Sequence, residues 1–325
     1  MTSKYAWLRA VALVAVQCAP AIATAQQDKP LDQYLDDTHR RLSDAFLAIP
    51  NGIDSFFATT RAEEESNASL MRLSLEPTLN KGNEWSFVAR VRVKLVLPHT
   101  EKRLRLILES TPEEALQEPT EGLRGEPSPL DAVKSTEQTA AIQALLRETR
   151  RWRVNLSSGI KLHTPIDPFV RLRAWGTIPL EQWQIRLTET VFWYDSVGFG
   201  QTTRVDFERP LDEDMLFRAS SQATWHRDDD ILHLSQDLNL FYRHSQDRAI
   251  AYRLAAIGID EPSTHVTDYV FDMRYRVRTW RDWLFFEIGP RLHYPKAADF
   301  DLTPSLNFKL EAIFGNHGKP LDILG

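Results

Sequence analysis

The sequence predicts an all-β fold: a closed antiparallel transmembrane β-barrel of about 12 strands, preceded by a short N-terminal helical segment. Three observations predict it. An export signal stands at the N-terminus, a period-two alternation of apolar and polar residues recurs from Ala68 to Phe314, and no segment beyond the signal is apolar enough to form a spanning helix.

The signal comes first. Lys4 and Arg9 make a basic start, an apolar stretch runs from Ala10 to Ala19, and Ala23-Thr24-Ala25 provides small residues for cleavage before Gln26. This order marks a secretory signal peptide over residues 1–25. Cys18 is the only cysteine, and Gln17 precedes it where a lipoprotein carries a small residue. The mature chain therefore has no disulfide, although its destination is oxidising. The formal net charge of -6 gives no reason to expect a nucleic-acid partner. The mean hydropathy of -0.36 would suit a soluble chain. A spanning helix needs roughly 18 apolar residues in a row. Without one, the chain can cross a membrane only as a closed barrel, because lipid satisfies no backbone group.

Residues 26–67 differ from the rest. Pro30 opens a stretch with Leu31, Tyr34, Leu35, Leu42, Phe46 and Leu47 at helical spacing, and Phe56, Phe57 and the acidic run Glu63-Glu64-Glu65 follow. The segment reads as a periplasmic helix, or as one that tucks into the barrel mouth.

From Ala68 the period becomes two. Phe87, Ala89, Val91, Val93 and Leu95 alternate with Arg90, Arg92 and Lys94. Leu104, Leu106 and Leu108 alternate with Arg103 and Arg105; Val170, Leu172 and Ala174 with Arg171 and Arg173; Phe271, Met273, Tyr275 and Val277 with Arg274, Arg276 and Arg278. Alternating segments of roughly ten residues between short turns are the barrel pattern. Turns stand at Asn80-Lys81-Gly82-Asn83, Ser196-Val197-Gly198 and Arg227-Asp228-Asp229-Asp230. Trp85, Trp183, Trp193, Tyr194, Trp225, Trp280, Trp283 and Tyr294 lie near strand ends, as interfacial girdles require.

An insertion over residues 111–149 interrupts the series. Its first part is rich in Glu and Pro. Ser135 and Gln138 then form a capping box, which predicts a helix through Ala140, Ile142, Ala144, Leu145 and Leu146 to about Arg147. About thirteen candidate strands remain, whereas single-chain barrels use an even number. The first, near 68–77, is short and ends at Pro77, so setting it aside gives about twelve. Counted back from a periplasmic C-terminus, the insertion then falls on the periplasmic side.

The last strand, Ser305 to Phe314, alternates apolar residues and closes on an aromatic, ahead of a tail over 315–325. It resembles the C-terminal signal of Gram-negative outer-membrane β-barrels. The stretch Phe192-Trp193-Tyr194-Asp195-Ser196-Val197-Gly198-Phe199-Gly200 is similar to uncharacterised proteobacterial members of that class. The resemblance covers about residues 68–314. It implies residence among outer-membrane lipids and recognition of the C-terminal strand by the barrel-assembly machinery, and it implies no activity.

The chemistry lies in how charge is sorted by face. Arg72, Arg90, Arg92, Lys94, Arg103, Arg105, Arg151, Arg153, Arg171, Arg173, Arg186, Arg204, Arg218, Arg274, Arg276, Arg278 and Lys309 fall opposite the apolar face. Fewer acids do: Glu76, Asp206, Glu208, Asp237, Asp272, Glu287 and Glu311. A basic lumen focuses a positive potential, which makes the expected function a small anion-preferring pore. The other reading is a non-conducting barrel with a structural or assembly role, its lumen filled by ion pairs and a periplasmic partner docked on 26–67 or on the insertion. An enzyme is less expected. His233 and Ser235 share a face with Asn239 beyond, but the His-x-Ser of outer-membrane phospholipase A continues into Asn-Gly, and here Gln236-Asp237 follows. Asp228-Asp229-Asp230 lacks the spacing of a calcium loop, and no cofactor or metal is expected.

Overall fold

Alternation at period two gives each strand one apolar and one polar face, and the chain separates the two by closing the sheet on itself. The structure, a computed structural model, describes residues 56–57, 69–97, 104–112, 136–149, 151–162, 165–227 and 230–315. These form fourteen strands: β1 (Leu70–Asn80), β2 (Glu84–Val96), β3 (Leu104–Pro112), β4 (Thr136–Glu148), β5 (Trp152–Leu162), β6 (Asp167–Pro179), β7 (Gln184–Tyr194), β8 (Gly198–Pro210), β9 (Met215–His226), β10 (Leu232–Ser245), β11 (Arg248–Asp260), β12 (Thr264–Arg278), β13 (Leu284–Pro295) and β14 (Thr303–Gly315). Each pairs antiparallel with the next. β14 returns to β1, with Leu73 opposite Ala312 on one side and Val91 on the other, so no strand edge is left open.

Burial is inverted relative to a soluble protein. Arg105, Gln143, Asp206, Glu208, Arg276 and Glu311 are buried, while Leu75, Phe87, Leu254 and Leu310 are exposed. The enclosed face is polar and the outer face apolar, as hydrocarbon outside and polar contacts inside require. Aromatics mark both ends of the outer face. Trp85 stacks with Phe87 and Phe308, and Phe199 meets Trp225, at one end. Trp183 meets Phe217, and Trp283 stacks on Phe314, at the other end, the terminal side, where β1 begins and β14 ends. Tyr194 is not part of a girdle; it is buried in the lumen beside Phe169 and Phe192.

The hairpin turns follow from backbone geometry. Gly82 has φ +91° after β1 and Gly198 has φ 68° after β7, conformations that cost an L-residue but not glycine.

Four further expectations are corrected. The barrel has fourteen strands, not about twelve. The stretch read as a helix within 111–149 is strand β4, paired with β3 and β5 along its length. The strand set aside for Pro77 is β1. Its register with β2 runs through Pro77, while that with β14 is interrupted at Glu76 and Pro77, which spares the proline a ladder bond. With β1 and β4 both counted, the connection from Pro112 to Thr136 leaves and re-enters the sheet at the rim opposite the start of β1 and the end of β14, not on the terminal side. The signal peptide, the tail over 316–325 and the N-terminal segment other than Phe56 and Phe57 lie outside the described residues, so the described architecture contains no N-terminal helix.

Candidate functional site: the barrel lumen

Strand parity places Arg90, Arg92 and Lys94 of β2, Arg105 of β3, Arg153 of β5, Arg171 and Arg173 of β6 and Arg274, Arg276 and Arg278 of β12 on the enclosed face. Arg151 is exposed in the turn before β5 and does not line the lumen. Arg103 lies outside the described residues.

Two walls of different character result. On the wall running from β8 through β14 to β2, cations and acids interleave. Glu311, fully buried, accepts from Arg276 and lies 3.0 Å from Lys309 and 3.6 Å from Arg72. Arg276 also reaches Glu287 at 3.4 Å, and Glu76 joins Lys309 to Arg90. Arg253 donates to Asp237 at 2.6 Å and to Asp272 at 3.2 Å. Glu208 accepts from Arg218 at 2.7 Å and from Gln184 at 2.5 Å, and Asp206 accepts from Arg204 and Ser220. Each of these named charges is held by at least one opposite charge, so the pairs fix side-chain positions and cancel much of the local potential.

The wall formed by β4 to β7 is different. Its described lumenal side chains include Arg153, Lys161, Arg171, Arg173 and Arg186, whereas its described lumenal carboxylates, Glu148 and Asp167, stand at opposite rims. Neutral polar groups fill the space between: Asn155, Ser157, Thr188 and Thr190 are all buried. Trp175 is flanked by the guanidinium groups of Arg153 at 5.8 Å and Arg186 at 5.7 Å. Lys161 stands 4.1 Å over the Tyr194 ring. Arg153 also pairs with Glu148, and Lys161 lies 3.7 Å from Asp167, so the aromatic faces add to the hold on these cations.

The mouth on the terminal side holds a residue pair from outside the sheet. Phe56 and Phe57 belong to the same compact unit as the barrel and are buried against Leu216, Phe241, Ala249, Ala251 and Phe285. Phe56 meets Phe285 edge-on at 6.0 Å, and Phe57 meets Phe241 at 5.7 Å. Arginines back the cluster: Arg276 lies 4.4 Å from the Phe285 centroid, Arg218 5.3 Å from Phe241, and Arg274 5.4 Å from Phe57.

Several lumenal residues are absent from the face-sorted reading of the sequence. Arg253 sits among Ala249, Ala251 and Ala255, which face inward with it, so no alternation marks β11. Asp167 reads as part of a turn but begins β6, where it accepts from the backbone and hydroxyl of Ser196. Arg291 shares parity with Glu287 two positions on each side of Gly289, a signal that was present in the sequence. His233 and Ser235 do face the lumen. The His233 ring packs against His226, 5.5 Å away, and does not bond Ser235 among the described contacts.

No protein-family model and no curated protein matches the chain. Among solved structures the barrel is similar to OprB of Pseudomonas putida (TM-score 0.47, 9% identity, covering 79% of this chain and 97% of that one). It is similar also to the outer-membrane channel DcaP of Acinetobacter baumannii (TM-score 0.43, 7% identity, 76% and 96%) and to the KdgM porin (TM-score 0.36, 7% identity, 75% and 99%). At these values the likeness is one of general barrel architecture and leaves the contents of the lumen to be argued from this chain's own residues.

Proposed function

We propose that the protein is an outer-membrane barrel whose arginine-rich lumen forms a small pore that prefers anions. The observation that carries this is the β4–β7 wall, where the described cations on the enclosed face outnumber the described carboxylates, which stand at the rims. In a low-dielectric wall such a strip raises the local concentration of anions and lowers that of cations. The interleaved pairs on the opposite wall act as the rigid frame that keeps the strip in shape. The surroundings are outer-membrane lipids, and the C-terminal strand ending at Phe314 is the element for the barrel-assembly machinery to engage.

A second reading is favoured by one observation, the seating of Phe56 and Phe57 in the terminal-side mouth. In that reading the barrel does not conduct, and the N-terminal segment offers a periplasmic partner its docking site. Planar-bilayer recording of the refolded protein separates the two. Channels with a reversal potential toward anions support the pore. Absence of channels both in the intact chain and after removal of residues 26–67 supports the closed barrel. A reversal potential toward cations overturns the anion preference.

A further inference from the structure

The outer face carries a feature that lipid does not explain. On β7 to β10 the outward positions include Glu189, Gln201, Thr203, Ser221 and Gln236, in a belt otherwise built from apolar side chains. They form one connected strip. Glu189 is directly opposite Thr203, and Ser221 is directly opposite Gln236. Both Glu189 carboxylate oxygens are occupied within the chain, one by the Gln201 amide and one by the Thr203 hydroxyl, each at 2.8 Å. Ser221 donates to the Gln236 amide oxygen at 2.5 Å.

Around Glu189, depth excludes a headgroup as the occupant, while Gln201, directly opposite Trp225, lies nearer the girdle. Trp183 and Trp193 mark the two girdles on β7 and are ten positions apart. At about 3.3 Å per residue and a tilt of about 40° this spans ~25 Å, the height of the apolar band. Glu189 lies four positions below Trp193 and six above Trp183, deep in the hydrocarbon. At that depth a polar atom left without a partner in its own chain has only another protein to meet.

We propose that this strip is a lateral interface between two copies of this chain, packed side by side in the bilayer. Its hydrogen-bonding groups are self-complementary. Gln201 uses its amide nitrogen on Glu189 and leaves its amide oxygen outward; Gln236 uses its amide oxygen on Ser221 and leaves its amide nitrogen outward. Across a two-fold axis, Gln236 of each copy donates to Gln201 of the other, the reciprocal pattern an isologous contact requires. The carboxylates, already satisfied internally, need no partner across the axis. The shape agrees. Ala219, Ser221 and Ala223 line β9 between the two glutamines, and small residues let backbones approach closely. Next to Gln236 an apolar groove of about 300 Å³, lined by Leu238, Leu254, Ala256, Tyr269 and Phe271, extends the same surface. The proposal depends on the barrel spanning a membrane and not on conduction.

The test is site-directed crosslinking in membranes. In a Cys18→Ser background, Ala223→Cys on the strip and Leu310→Cys on the opposite outer face are treated with a short bis-maleimide, with heat-modifiable mobility as the check that each barrel is folded. A product of twice the chain mass from Ala223→Cys and none from Leu310→Cys is expected, with Ser221→Cys as a second strip position should Ala223→Cys not fold. Gln201→Leu with Gln236→Leu should weaken the association about tenfold, at the modest strength of hydrogen bonds between spanning elements, while leaving the barrel folded. Monomer only, equal crosslinking at both positions, or a product of any other mass overturns the proposal, the last in favour of a different membrane protein.

Discussion

Arg274 holds its guanidinium 5.4 Å from the centre of the Phe57 ring, tying a residue outside the sheet to the lumenal face of β12. The contact matters because Phe57 and Phe56 stand in the terminal-side mouth, which a solute would have to cross in the proposed pore. If they limit the pore, Phe56→Ala with Phe57→Ala should raise single-channel conductance in planar bilayers, and Arg274→Ala should do so to a smaller degree. Unchanged conductance in the double variant would show that the pair is not the constriction.

The β4–β7 wall gives a prediction about selectivity. Arg171→Glu with Arg173→Glu reverses two charges on β6 of that wall, whose directly opposite neighbours Ser157, Phe192, Asn155 and Thr190 are uncharged. The ratio of anion to cation permeability should fall several-fold, read from the reversal potential in a salt gradient. The same double change on the paired wall, Arg253→Glu with Arg291→Glu, should act mainly on stability, because it sets acids beside Asp237 and Asp272.

Glu311 is the shared acceptor of Arg276, Arg72 and Lys309. Glu311→Ala leaves Arg276, fully buried, with Glu287 at 3.4 Å as its remaining acid partner among the described residues. Truncating one member of a buried charge cluster costs about 3 kcal/mol or more. The unfolding midpoint in urea should shift down accordingly, and a shift no larger than that of a rim pair such as Arg243 with Asp214 would contradict the structural role.

The outer face gives a prediction that depends on depth. Leu75 is exposed and pairs with Ala89 and Leu310 in the middle of its strand, whereas Val93 pairs with Met71, which in turn faces Phe314 at the terminal-side girdle. Leu75→Arg should therefore cost about 2–4 kcal/mol and Val93→Arg about 1 kcal/mol or less. Equal costs in lipid, or a negligible cost for Leu75→Arg, would be inconsistent with a spanning barrel.

Much of this was legible in the residues, and the failures have particular causes. In β2, arginines and a lysine at alternate positions among Phe87, Ala89, Val91, Val93 and Leu95 mark both the strand and its inward face. In β4, Gln138-Thr139-Ala140-Ala141-Ile142-Gln143-Ala144-Leu145 is made largely of good helix formers behind a capping box, and local preference points to a helix. Two neighbouring strands with unmet hydrogen bonds override that preference, because leaving β3 and β5 unpaired would open the barrel in lipid. Ala141 then has a use on the lumenal face, where it leaves room for Phe169 and Phe192. Parity was the available clue: an odd count of strands signals one strand missed as readily as one too many.

The amino-acid sequence by itself determined the closed barrel and which face of most strands is polar, because a period of two and the cost of unpaired backbone in lipid admit few other solutions. Only the tertiary structure decided the number of strands, the rim that carries the long connection and the partner of each charge. Those depend on which strands become neighbours around the circle: Glu311 reads as one acid among many until β12, β13, β14 and β1 bring Arg276, Lys309 and Arg72 around it. The outward strip at Glu189 belongs to both levels. Its residues stand in the sequence as breaks in four separate alternations, and only the register of β7 to β10 gathers them into one surface.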